Sequence, residues 1–139
     1  MEQSLNRNFF QRLLGLPATS KPLNEDCWKF SDSKLEIDLN SAKELGNAGG
    51  AIRIESKELP AKILVFHGTD DKYYAFNNKC THMGRRIDPV PGTKTIQCCS
   101  IGKTLYDYDG KAKAGLGKGK LRQYPVEKSL DKLVIHLSN

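Results

Sequence analysis

Cys80-Thr81-His82 is followed, after fifteen residues, by the pair Cys98-Cys99, and these two short stretches decide how the chain is interpreted. A cysteine and a histidine separated by one residue, with more cysteines nearby, are typical of a metal site. Thiolates and neutral imidazoles are good ligands for iron and zinc. Adjacent cysteines rarely pair with each other, so we expect no disulfide framework. The fourth cysteine, Cys27, lies apart in sequence and is expected to be a small buried apolar group.

Segments with the composition of β-strands surround these two stretches. Turn sequences such as Asn47-Ala48-Gly49-Gly50 and Asp109-Gly110 separate nearly all of them. Strands are predicted at Cys27–Phe30, Leu35–Leu39, Ala51–Glu55, Ile63–His67, Tyr73–Phe76, Thr95–Gln97, Thr104–Tyr108, Arg122–Glu127 and Leu133–Leu137. Only Ser41–Leu45 suggests a helical turn among them. Short strands with this punctuation predict an all-β, antiparallel sandwich or barrel.

The N-terminal region is predicted to differ from the rest. Residues 4–16 are expected to form a short helix that ends at Gly15 and Pro17. We assign residues 1–26 to this helix and a linker, and residues 27–139 to one β domain. A helix of this length is marginal alone in water, so its apolar side is expected to pack on the domain.

Length and composition are those of a soluble globular domain. The chain has 139 residues, of which 38% are hydrophobic and 27% are charged. No stretch approaches the roughly 18 apolar residues that a membrane helix needs. The segment Phe9–Leu16 contains Gln and Arg and makes a poor secretory signal. We therefore expect a cytoplasmic protein that does not bind membranes, with export as the alternative.

Positive charge follows both thiol-containing stretches. The net charge is +6, and the basic residues expected to contact a partner are Arg85, Arg86, Lys103, Lys118 and Lys120. If the two stretches meet in space, these residues form a face that would attract an acidic redox protein or oxidoreductase subunit. The alternative is an ordinary solvated surface. Nucleic acid is not expected as a partner, since no RNA-binding motif or DNA-reading helix accompanies the lysines.

The chain resembles the Rieske family in both stretches. Tyr74–Gly84 is similar to the first cluster-binding loop of Rieske proteins, and Ile96–Gly110 is similar to the second loop with the strand and turn beyond it. Leu121–Val126 and Leu133–Leu137 resemble the C-terminal end of the family. The resemblance covers residues 28–137 and implies a Rieske-type sandwich with two cluster-binding hairpin loops. The family's centre is a [2Fe–2S] cluster in which two thiolates hold one iron and two imidazoles the other.

The resemblance implies Cys80 and His82 as the first pair of ligands. For the second pair the register is open between the two adjacent cysteines. Counting forward from Gln97 makes Cys98 the ligand, and counting back from Tyr106-Asp107 makes Cys99 the ligand.

No register supplies the second histidine. Ile101 occupies its position if Cys98 is the ligand, Gly102 occupies it if Cys99 is, and a further small shift offers Lys103. Isoleucine and glycine side chains have no lone pair, and a lysine amine would first have to lose a proton. The remaining histidines, His67 and His136, are expected to be ordinary strand residues.

Three functions stay open at this point. The domain could hold a degenerate [2Fe–2S] cluster through two cysteines and one histidine, and act in electron transfer or as an accessory part of an oxidoreductase system. The set Cys80, His82, Cys98 and Cys99 could instead hold a cluster of altered ligation or a structural zinc. The domain could also be a cluster-free interaction subunit that resembles the small subunits of nitrite reductases. No residue is assigned a catalytic role, because the sequence implies no substrate pocket.

Overall fold

The computed structural model describes residues 19–79, 81, 85–90, 92–99, 104–114 and 119–137, and this part of the chain is almost entirely β-structure. Its strands are β1 (Trp28–Ser31), β2 (Lys34–Asp38), β3 (Ala51–Ile54), β4 (Ile63–His67), β5 (Tyr73–Asn77), β6 (Ile87–Pro89), β7 (Thr95–Cys98), β8 (Leu105–Asp107), β9 (Ala112–Ala114), β10 (Gln123–Tyr124), β11 (Val126–Ser129) and β12 (Lys132–His136). Two 3-10 turns span Glu25–Cys27 and Lys43–Leu45. The all-β prediction is confirmed, and the helix predicted at residues 4–16 lies outside the described residues.

All strand pairs in the described part of the chain are antiparallel, and they form three four-stranded sheets. The orders are β1-β2-β12-β11, β10-β5-β4-β3 and β6-β7-β8-β9. We call these the base sheet, the middle sheet and the cysteine sheet. The cysteine sheet carries Cys98 at the end of β7. Among the described helical turns none is long and apolar enough to cross a membrane.

The middle sheet is buried on both faces, as its central strand β4 shows. Every residue of β4 is buried, and alternate side chains belong to two different cores. Ile63 and Val65 pack with residues of the base sheet, whereas Leu64 and Phe66 pack with residues of the cysteine sheet. The continuous apolar run in β4 therefore reflects a strand that contacts both cores.

The strand predictions needed three corrections. The single strand predicted at Arg122–Glu127 is wrong, because β10 and β11 lie in different sheets with Pro125 between them. Strands β6 and β9 were not predicted, since β6 ends in a Pro-rich turn and β9 consists of Ala and Lys. Pro89 is accommodated because β6 is an edge strand, where a missing N–H breaks no ladder. The turn predicted near Ser41–Leu45 is confirmed as the 3-10 turn Lys43–Leu45.

Candidate metal centre

Strand β7 ends at Cys98, which faces the core of the cysteine sheet. Cys98 is 1% exposed and packs in one cluster with Ile96, Ile87 and Tyr106. Its backbone N–H donates to the Thr104 carbonyl over 2.8 Å, which continues the hairpin between β7 and β8. Ile96 lies two residues earlier on the same face, as the period of an extended strand requires. The thiol of Cys98 is therefore part of the apolar packing of this sheet.

Cys99 is equally buried but does not belong to that apolar cluster. Its backbone N–H donates to the Arg86 carbonyl over 3.0 Å, which extends the pairing of β6 with β7 by one residue. Hydrogen bonds to Glu55 raise the pKa of Arg86 above its ordinary value, and the charge of the Cys99 thiolate acts in the same direction. The backbone of Cys99 thus pairs with Arg86, whereas that of Cys98 pairs with Thr104, and the two adjacent cysteines have different surroundings.

The loop between Asn78 and Ile87, which contains Cys80, has its two ends close together. Asn78 follows β5, and its backbone N–H donates to the Lys62 carbonyl over 2.8 Å. Its side-chain Oδ1 accepts the backbone N–H of Ile87, the first residue of β6, over 2.7 Å. The eight residues between Asn78 and Ile87 therefore leave and re-enter the fold at neighbouring points. Cys80 and His82 belong to this loop and lie outside the described residues.

Thr81, the residue between those two ligand candidates, contacts the cysteine sheet. The phenol oxygen of Tyr106 lies 2.9 Å from the backbone nitrogen of Thr81, which donates to it, and 2.8 Å from Thr81 Oγ1. Tyr106 lies on β8 opposite Ile96 and is fully buried. Thr81 is therefore fixed directly against the hairpin of β7 and β8, which carries the adjacent cysteines.

A charged network supports the neck of the loop from the side. Arg86 donates to Glu55 through Nε at 2.5 Å and through a terminal nitrogen at 3.0 Å, and Arg53 lies 3.1 Å from the same carboxylate. These hydrogen bonds, that from Arg86 first, lower the pKa of Glu55 to about 2. The Glu55 side chain is 13% exposed, so the network is well shielded from solvent. It joins the end of β3 to the segment that returns from the first loop.

The two other histidines lie elsewhere in the fold. His67 Nδ1 lies 2.9 Å from the Leu45 carbonyl, and its Nε2 contacts the Asp71 carboxylate, so both ring nitrogens face oxygen atoms. His136 lies in the base sheet, with Nε2 3.2 Å from Glu127 Oε1. The chain has three histidines in total. His82 is thus the one histidine that the sequence places in a cysteine-containing loop.

A [2Fe–2S] cluster would find most of its usual ligands in this chain, but not all. The described residues contain no group of three His, Cys, Asp or Glu side chains placed to hold a metal, and they include only Cys98 and Cys99 of the four ligand candidates. Two buried thiols at the end of β7, next to a loop that carries Cys80 and His82, suit an iron–sulfur centre. A second imidazole is missing.

The predicted basic face is only partly described. Arg85 is half-buried and Lys120 is exposed, whereas Lys103 and Lys118 lie outside the described residues. The guanidinium of Arg86 already binds Glu55, which offsets its charge. Lys111 pairs with Lys120 across an antiparallel bridge, which places two positive residues opposite each other beside β9. Lys113, in β9, lies 3.6 Å from Asp107, which offsets its charge. The basic face therefore stays a prediction.

Sequence reasoning overlooked Asn78, Glu55 and the role of Tyr106. Asn78 and Glu55 resemble ordinary turn and strand-end residues, and their partners Ile87 and Arg86 lie 9 and 31 residues further along the chain. Tyr106 was used only to count register. The one signal in the sequence for Asn78 is its position two residues before a ligand candidate.

The model of the Rieske [2Fe–2S] domain family matches residues 37–125 of the sequence. A search of curated proteins finds no match. Among solved structures, the ferredoxin of carbazole 1,9a-dioxygenase from Nocardioides aromaticivorans IC177 superposes with a TM-score of 0.59 at 16% identity, covering 74% of this chain and 98% of the ferredoxin.

Two further structures show the same fold. The plasma-membrane Rieske protein of Synechocystis PCC 6803 has a TM-score of 0.52 at 18% identity, with 62% of this chain and 85% of that protein covered. A quaternary ammonium Rieske monooxygenase has a TM-score of 0.55 at 19% identity and covers 69% of this chain. The chain spans only 29% of the length of that monooxygenase. At these identities the likeness concerns the fold alone.

Proposed function

This chain belongs to the family of Rieske [2Fe–2S] domains, and on that basis we propose that it is a small redox protein that passes single electrons within an oxidoreductase system. The observation that carries the proposal is the contact of Thr81 with Tyr106. It joins the residue between the first two ligand candidates to β8, which pairs with the strand that ends at Cys98. When bound, a [2Fe–2S] cluster supplies a one-electron redox couple.

The proposed ligands are Cys80, His82 and Cys99. Cys99 is preferred over Cys98 because Cys98 packs in the apolar cluster of the cysteine sheet, while Cys99 lies outside that cluster. Successive side chains in an extended chain point apart, so both thiols are not expected to bind the same iron. The choice of Cys99 agrees with counting back from Tyr106-Asp107, and it places Gly102 at the position of the second histidine.

The partner is proposed to be an acidic redox protein or oxidoreductase subunit. Two positive residues that lie opposite each other beside β9 support this proposal, Lys111 and Lys120. Arg85 adds a third positive charge. Opposite charge would raise the rate of encounter and orient the partner towards this face. Structures of ferredoxin and oxygenase complexes of carbazole 1,9a-dioxygenase are among those similar to this chain, which makes an oxygenase-type partner a reasonable first candidate.

The function is tested by anaerobic purification followed by iron, sulfide and zinc analysis. We expect a coloured protein with about two iron and two sulfide per chain that is bleached reversibly by a reductant. A colourless protein without iron or sulfide, purified from iron-replete cells, would support the alternative of an interaction subunit. One zinc per chain would support the alternative of a structural site formed by the cysteines and His82.

A matched pair of variants tests the ligand register. Gly102→His supplies an imidazole at the missing position if Cys99 is the ligand, and Ile101→His does so if Cys98 is the ligand. We expect Gly102→His to change the visible and EPR spectra towards those of a two-histidine Rieske centre, and Ile101→His to leave both spectra unchanged. The opposite result would assign the ligand role to Cys98.

A further inference from the structure

Asn78 carries a buried amide N–H that lacks a partner. The residue is 2% exposed, and its Nδ2 is fully covered yet has no hydrogen-bond acceptor among the described residues. An unsatisfied buried donor is costly because it has lost its hydrogen bonds to water, so native proteins rarely leave one without a reason. Its position is two residues before Cys80, at the neck of the first loop.

The orientation of this amide is fixed by its other half. The backbone N–H of Ile87 can only donate, so the atom that it meets at 2.7 Å must be the oxygen, and Nδ2 must point away from β6. The backbone of Asn78 is fixed as well, through its N–H bond to the Lys62 carbonyl. Asn78 therefore presents a rigid donor at the base of the loop that contains Cys80 and His82.

We propose that Asn78 Nδ2 donates a hydrogen bond to a sulfur atom of the centre. This inference rests on the proposed function. Sulfur atoms of iron–sulfur centres carry negative charge, and N–H donors to them stabilise the reduced state and set the reduction potential. Asn78 is then a positioning residue that holds the loop neck through Oδ1 and stabilises the charge of the centre through Nδ2.

The matched variants are Asn78→Asp and Asn77→Asp. Asn78→Asp keeps the acceptor for Ile87 and the shape of the side chain but removes the donor. Asn77→Asp adds the same charge one residue away, at a half-buried position.

Iron and sulfide are measured first, and potentials are then compared against the same redox dye. We expect the equilibrium constant for reduction to fall at least about tenfold further in Asn78→Asp than in Asn77→Asp, since a hydrogen bond to a charged group contributes about 1.5–3 kcal/mol.

A measurement on the unmutated protein covers the case in which Asn78→Asp does not fold. In reduced protein labelled with 15N-asparagine, pulsed EPR should detect one side-chain amide nitrogen coupled to the cluster. No such coupling, or coupling to water protons alone, would overturn the inference, as would equal potentials in the two variants. Unmutated protein without iron and sulfide would overturn the proposed function as well, so the two failures can be told apart.

Discussion

Adjacent residues of the same type acquire different chemistry here. Cys98 and Cys99 are both 1% exposed, yet only Cys98 belongs to the apolar cluster of the cysteine sheet. The sequence could predict that thiols lie in this region. It could not decide between the two cysteines, because that choice depends on the register of β7 with β6 and β8. The partners that fix this register, Arg86 and Thr104, are contacts between separate segments.

Cys27 offers a contrast to the proposed ligands. Burial, with a further contribution from Glu44, raises the pKa of Cys27 to about 11, so it remains a thiol at neutral pH and is a poor metal ligand. We predict that Cys27→Ala retains the full iron and sulfide content, whereas Cys80→Ala loses most of it. Colorimetric iron and sulfide assays on the two purified variants check this. Equal loss in both variants would contradict the ligand assignment.

At the scale of elements, strand position was predictable wherever pattern and punctuation agreed. The strand predicted at Ile63–His67 coincides with β4, because its apolar run is bounded by clear turn residues. Strand β9 was overlooked because Ala and Lys have low strand propensity. Its pairing with β8 and the Lys111–Lys120 bridge hold it in place, and these are tertiary contacts without a local signal.

The charged network around Glu55 joins the end of β3 to Arg86, the residue before β6. Because the folded-state pKa of Glu55 is lowered from 4.5 to about 2, its stabilisation is fully present above about pH 4.5 and is lost as the pH falls towards 2. We predict that Glu55→Gln lowers the free energy of unfolding by about 1–2 kcal/mol at pH 7 and by much less near pH 3. Urea unfolding at several pH values measures this difference.

Glu58→Gln is the control for that experiment, since it removes the same charge at an exposed position after the same strand. Its effect should be small at every pH. A Glu55→Gln penalty that stays constant from pH 7 to pH 3 would show that the network does not act through the ionised carboxylate.

The turn between β8 and β9 contains Gly110, which no residue with a Cβ can replace without strain. Gly110 has φ of +87°, and a Cβ there would lie 2.9 Å from the Leu121 carbonyl oxygen. Gly119 has nearly the same φ, +88°, but none of the described residues lies within 4 Å of a Cβ added there. We predict that Gly119→Ala costs about 1 kcal/mol from backbone strain and that Gly110→Ala costs at least about 2 kcal/mol. Equal losses in thermal or urea unfolding would refute the steric part of this explanation.

At the scale of the whole molecule, the middle sheet packs against both the base sheet and the cysteine sheet. It separates the core shared with the base sheet from the core shared with the cysteine sheet, and β5 leads from it directly into the first loop. The family resemblance was sufficient to predict an all-β, antiparallel fold of the Rieske type, but not its division into three sheets. The sequence pattern could not reveal the supports of the site, because Asn78, Glu55 and Tyr106 act through long-range contacts.

The most direct test of the redox proposal is a coulometric titration of the anaerobically purified protein, with electrons counted per chain. The proposal predicts reversible uptake of one electron per chain, accompanied by bleaching of the visible spectrum and the appearance of an EPR signal from a reduced [2Fe–2S] centre. A protein that takes up no electrons over the same range of potential, while folded and saturated with iron during expression, would contradict it.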